Sequence, residues 1–272
     1  MHWINRIRET GCKHTRTAGI VLMSLAFVSL SACATHTDHL ALDQKDNPGL
    51  RVIGLPQIVV AEKIDVRQEN PLVALIGLTP KAIQLAVQQY KRIQYGDANP
   101  QLLSQSMEQI RHRMKLRLRK QGYIVRDLPM TYWQAQAAFR KQDQDPQLKN
   151  VDALLNVQIK RFGYFSGSPH RPYRPGMILA ADLVSTRDRI TLSSNVYNIG
   201  YDPEDLSLLA LQVRYITNIH VADKQYFYRT FDDLLANAKQ SSKGLMFVAK
   251  VAAESVAGDL KKTDQSLILA SR

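Results

Sequence analysis

Between residues 99 and 122 apolar positions recur every three or four residues. Leu103, Met107, Ile110, Met114 and Leu118 fall on one stripe, the signature of an amphipathic helix. Asn99 is placed to cap it, Pro100 suits a first turn that needs no N–H, and Gly122 can take the left-handed conformation that ends it. The same period predicts helices from Pro80 to Gly96 on Ile83, Val87 and Tyr90, from Tyr132 to Arg140, and from Ser242 to Leu260 on Leu245, Val248, Ala249, Ala252 and Val256. Strand character is concentrated elsewhere. It covers Ile58 to Val66, Tyr123 to Arg126, Val151 to Phe165, a hairpin of Met177–Val184 and Ile190–Ile199, and a second pair, Gln212–Val221 with Gln225–Tyr228. The run Leu72 to Leu78 fits a buried strand or a helix equally. Elements come both in runs and in alternation, with no internal repeat. The expectation is an α+β fold, a mixed sheet flanked by helices, in one domain over 50–262, with residues 263–272 as a frayed tail.

The N-terminus departs from this pattern. Arg6, Arg8, Lys13 and Arg16 precede a continuous apolar run from Ala18 to Leu30, and the run closes on Leu30-Ser31-Ala32-Cys33. It is shorter than the about 20 apolar residues a membrane helix needs, so it reads as a secretory signal over residues 1–32. Its last four residues resemble the lipobox of bacterial lipoproteins. That resemblance implies cleavage before Cys33, acylation of its thiol, and no disulfide, because Cys12 leaves with the leader. Ala34 in place of Asp implies export to the outer membrane, with the domain facing the periplasm. Residues 33–49 are polar, close on Asn47-Pro48-Gly49, and read as a flexible tether with an average reach of roughly 23 Å.

Charge sharpens the picture of partners. The chain carries a formal +12, and the leader removes four basic residues and one acidic, leaving +9. Beside a membrane this favours anionic lipid or an acidic envelope partner, each Lys or Arg near the surface contributing about 1 kcal/mol. An exported chain has little access to nucleic acid, so none is expected as a partner.

The order of a long helix, a Gly122-Tyr123-Ile124-Val125 strand, a helix, and Asp152-Ala153-Leu154-Leu155 opening a long strand resembles a group of envelope proteins. They are the TolB N-terminal domain, the curli-secretion lipoprotein and the lipoprotein activators of penicillin-binding proteins. Over residues 100–262 the resemblance implies a TolB-like fold and a role as adaptor, activator or secretion subunit, with no catalytic residues.

Two segments carry candidate chemistry. Arg111, Arg113, Lys115, Arg119 and Lys120 cluster at the end of the 99–122 helix, as a patch for lipid or for an acidic partner or as a solvated helix end favoured by the helix dipole. His170, Arg171, Tyr173 and Arg174 lie in the Pro-rich stretch Ser168–Gly176, where stiff backbone suits either recognition or a plain connection. Phosphate loops, dinucleotide fingerprints and His-Glu-x-x-His motifs are absent from the sequence. Glu254-Ser255 echoes the Glu-Ser pair of lytic transglycosylases without its surroundings. No cofactor or metal is expected. The leading expectation is a non-enzymatic envelope adaptor in assembly, transport or cell-wall synthesis. The alternative is a periplasmic hydrolase acting on peptidoglycan or another envelope polymer, whose carboxylate pair would assemble only in three dimensions.

Overall fold

The computed structural model describes residues 40–43, 45–60, 63–68, 78–140, 148–201, 217–221 and 223–261. The leader with Cys33, residues 34–39, most of the Leu72–Leu78 run, residues 212–216 and the 263–272 tail lie outside the described residues.

One strand organises the sheet. β5 (Ala153–Ser166) is 14 residues long, as expected of the apolar run that encodes it. Along one edge of β5 run β1 (Val52–Gln57), β2 (Val59–Val60) and β3 (Asp65–Gln68), in line and all parallel to it. β4 (Ile124–Thr131) adds in parallel to the far side of β1. On the other edge β6 (Arg174–Ser185) and β7 (Thr191–Ile199) follow as antiparallel neighbours, and β8 (Thr217–Ile219) pairs in parallel with β7. The order is β4-β1-β5-β6-β7-β8. The helices are α1 (Leu78–Ala98), α2 (Leu102–Lys120), α3 (Tyr132–Arg140), α4 (Phe231–Ala236) and α5 (Ala238–Asp259). This is a mixed sheet flanked by helices, the α+β class that the sequence pattern predicts. Among the described residues no helix is long and apolar enough to cross a membrane.

Successive side chains of β5 serve different clusters, because a strand alternates faces. Ala153, Leu155, Val157 and Ile159 pack with Ile110, Met114 and Leu118 of α2 and with Leu245, Val248, Ala252 and Val256 of α5. Leu154 instead joins Val184, Leu128 and the α3 residues Tyr132 and Ala135. α5 can lie close to the sheet because its inner face is small: a Cβ on Gly244 would stand 2.5 Å from the Tyr164 hydroxyl. That hydroxyl donates to the Ser241 carbonyl at 2.9 Å, and the Tyr95 hydroxyl meets Ser241 Oγ at 2.8 Å. Burial pushes both phenols well above their ordinary pKa, so they remain hydrogen-bond donors.

Four expectations are corrected. Asn99 does not cap α2; its side-chain amide bonds the Tyr95 carbonyl and its Oδ1 accepts from Ser242, while Gln101 stands at the N-cap without a side-chain bond. Of the tether over 33–49, Leu40 is already tied to the sheet, exchanging two backbone bonds of 2.8 and 2.9 Å with Ser194. Gln225–Tyr228 is not a strand: Lys224–Tyr226 forms a 3-10 turn, and Tyr228 alone bridges Tyr173. The last concerns α1, whose apolar stripe points outward. Ile83, Val87 and Tyr90 are 63%, 47% and 58% exposed. Gln84 and Gln88 turn inward because the Gln68 carbonyl accepts from both amides, at 3.1 and 3.4 Å.

The basic end of α2 is also not an open patch. Arg111 reaches Asp127 of β4 at 3.1 Å and the Leu55 and Leu128 carbonyls at 3.3 Å each, and Lys115 pairs with the same carboxylate. Arg113 and Arg117 stand 3.9 and 4.0 Å from Glu254 of α5. Arg119 and Lys120 are exposed, as the sequence reading has them. Arg111 and Lys115 therefore clamp α2 to β4, so they are withdrawn from the solvent-facing patch.

Two predictions follow from this packing. A Cβ on Gly163 would stand 1.8 Å from the Asp65 carbonyl oxygen, so Gly163→Ala should lower the unfolding free energy by about 1–3 kcal/mol or more. Gly258→Ala, with open space around it, should be neutral or slightly stabilising; urea unfolding checks both. Burial pushes the Asp127 carboxyl up, but the hydrogen bonds from Lys115 and Arg111 outweigh it and hold its pKa below 3.8. Such a group contributes stability that is present above its unfolded pKa and lost as pH falls through its folded one. The stability gap between wild type and Asp127→Asn should therefore shrink as pH falls from about 5 through the lowered folded pKa of Asp127. A gap that stays constant over that window contradicts the clamp.

Candidate functional site

A polar cavity opens where the β5 ladder is interrupted among the described residues. β2 leaves β5 at the pair Val60 and Ile159, and β3 rejoins it at Asp65 and Gly163. Residues 160–162 of β5 have no strand partner on that edge among the described residues. On the opposite edge the register with β6 slips between Ile159 and Arg161. A bulge of this kind breaks the alternation of faces and re-aims side chains. Lys160, Arg161 and Phe162, three consecutive residues, consequently line one cavity of about 400 Å³. Lys63, Asp65 and Arg67 come from the opposite wall, and Gln89 and Arg92 from α1.

Asp65 organises this cavity. It is 8% exposed, and its two oxygens are taken separately: Arg67 Nε lies 2.6 Å from Oδ2 and Arg92 Nε donates to Oδ1 at 2.5 Å. The buried carboxylate lies between two guanidinium groups and orients both arginines at its own expense in desolvation. The buried Tyr201 ring stacks on Phe165 at 4.1 Å. Burial pushes the Tyr201 phenol far up, an effect the neighbouring Arg161 guanidinium partly offsets. Among the described residues, five basic side chains and one carboxylate line the cavity, a surplus of four positive charges. Such a lining attracts and orients anions.

None of the sequence-singled residues lines this cavity. The Pro-rich stretch is a brace beside it. Tyr173, a candidate for recognition, is buried and does not face solvent. Its backbone exchanges bonds of 2.7 and 3.0 Å with Tyr228, and its hydroxyl accepts from Lys91 of α1 at 2.7 Å. Burial pushes that phenol up to about 12 and lowers the Lys91 ammonium, an effect that Asp232 partly offsets. Arg174 opens β6 and lies over the Phe227 ring at 5.1 Å. Arg171 is half-buried, and His170 is exposed at the turn. Glu254 faces Arg113 and Arg117, and Ser255 Oγ bonds its own helix at Val251, so that pair forms no joint site. Cys33 lies outside the described residues.

Sequence reasoning missed the cavity because its residues come from three separate segments. One local signal was present: Lys160-Arg161, two adjacent cations inside an otherwise apolar strand, which a regular strand would place on opposite faces.

No protein-family model matches the chain, and no curated protein sequence does. Solved structures of similar outline include a PelC dodecamer from Paraburkholderia phytofirmans, 13% identical, covering 83% of this chain and 96% of that one at a TM-score of 0.34. A Xanthomonas campestris protein described by the family model DUF330 is 9% identical, covering 83% and 89% at 0.33. A lipoprotein from Neisseria meningitidis is 13% identical, covering 59% and 93% at 0.24. Likeness at these scores carries no argument about function, and the TolB-like resemblance stays a resemblance.

Proposed function

We propose that this chain is a lipid-anchored accessory protein of the bacterial envelope. It is held at the outer membrane through Cys33, faces the periplasm, and binds a partner in envelope assembly, transport or cell-wall synthesis rather than turning over a substrate. The observation that carries the binding half of this reading is the state of Asp65. General acid–base chemistry needs a carboxyl able to exchange a proton with substrate. Both Asp65 oxygens are engaged by guanidinium groups instead, in a cavity with four surplus positive charges. The Leu30-Ser31-Ala32-Cys33 lipobox supports the anchoring half, together with the +9 charge that remains once the leader is removed. Two or more acyl chains hold a protein at a bilayer stably, so an anchor of this type fixes the domain near its membrane.

Cells fed an alkyne palmitate analogue should label the wild-type chain and recover it in the outer-membrane fraction. Cys33→Ser should abolish the label. In vivo crosslinking with pull-down should recover an envelope protein. An unlabelled wild type overturns the anchor, and clearing of a peptidoglycan zymogram by the purified chain overturns the non-enzymatic reading.

A further inference from the structure

We infer that the cavity between β3, β5 and α1 is a phosphoryl-binding site, in which Arg67 and Arg92, oriented by Asp65, grip the anion together with Lys63 and Lys160. This goes beyond the anchoring and adaptor reading and does not depend on it.

Four observations carry the assignment. Arg67 and Arg92 contact Asp65 through Nε, and their terminal nitrogens have no hydrogen-bond partner among the described residues. Each fork thus keeps donors for a second anion, pre-oriented by the first, which lowers the entropy lost on binding. Next, among the described lining residues Asp65 is the one carboxylate beside five basic side chains, of which Arg161 also has a partner in Tyr201. A single carboxylate ligand would leave most of the remaining charge unbalanced, whereas a phosphoryl group brings up to two charges and three acceptor oxygens. The bulge at Lys160 is the third: it turns two adjacent cations toward one cavity at the point where β5 lacks a strand partner on that edge among the described residues. Last, a neighbouring cavity of about 230 Å³ shares Lys63 and Arg92 and includes Ile64, Ile93 and Leu103. There is room beside the phosphoryl group for an organic substituent with apolar character.

The test uses the purified full-length chain in zwitterionic detergent and phosphate-free buffer. Calorimetric titration with inorganic phosphate should show saturable binding, and acetate at the same concentrations should show none. Arg92→Gln should weaken phosphate binding about tenfold, as expected for loss of a charge-assisted bond. Because that change also strips Asp65 of a partner, Lys63→Gln/Lys160→Gln is the second variant. Both lysines are exposed, so the fold should survive, with an unchanged far-UV spectrum and thermal midpoint and again about tenfold weaker binding. Sedimentation with phosphatidic acid vesicles, against phosphatidylcholine vesicles, separates the sources. Phosphate-competed sedimentation identifies a lipid head group, and its absence alongside phosphate binding identifies a soluble phosphoryl compound. No saturable phosphate binding, equal binding of acetate, or unchanged affinity in the folded lysine variant overturns the assignment.

Discussion

A buried carboxylate between two arginines sets the terms for this structure. Asp65 sits where β3 rejoins β5, and it receives one arginine from its own strand and one from α1. Leaving that carboxylate unpaired would cost several kcal/mol, so both partners are needed. The requirement fixes α1 against β3 with its polar side inward, and that orientation sends Ile83, Val87 and Tyr90 toward water. The Gln68 carbonyl and the Tyr173 hydroxyl complete the polar seam by receiving Gln84, Gln88 and Lys91. Electrostatic pairing, rather than apolar burial, therefore decides which face of α1 meets the protein.

The same seam explains why the sheet can break and remain ordered. β5 is held by β6 on both sides of the bulge at Lys160, and α5 and α2 cover one of its faces. Its opposite edge is free to lose partners over 160–162 without loss of the core. Gly163 then lets β3 return at a separation no side chain would allow. The cavity is thus a consequence of topology, and Lys63, Lys160 and Arg161 add charge to it beyond the Asp65 pairing that holds α1.

Much of the frame was legible in the sequence. The stripe of Ile110, Met114 and Leu118 in α2, the Ala153–Ile159 strand and the small inner face of α5 all read directly from period and composition, because burial there is apolar. The same rule misjudged α1, where Gln84, Gln88, Lys91 and Arg92 find partners far away in sequence and reverse the expected face. Nor does it reveal the pairing at the basic end of α2, since Asp127 and Glu254, which face four of its cations, lie on other elements. Tyr173 was hidden for a similar reason: its burial depends on Tyr228 and Lys91. Polar pairing over long sequence distances leaves no periodic trace, and the cavity is built almost wholly of it.

The central claim, that the Asp65-oriented arginines hold an anion at the break in β5, is most directly tested by anomalous diffraction from crystals of the chain soaked in tungstate, a heavy analogue of phosphate. The account predicts an anomalous peak within hydrogen-bond reach of both Arg67 and Arg92. Peaks confined to other surfaces, with none between these two side chains, would contradict it.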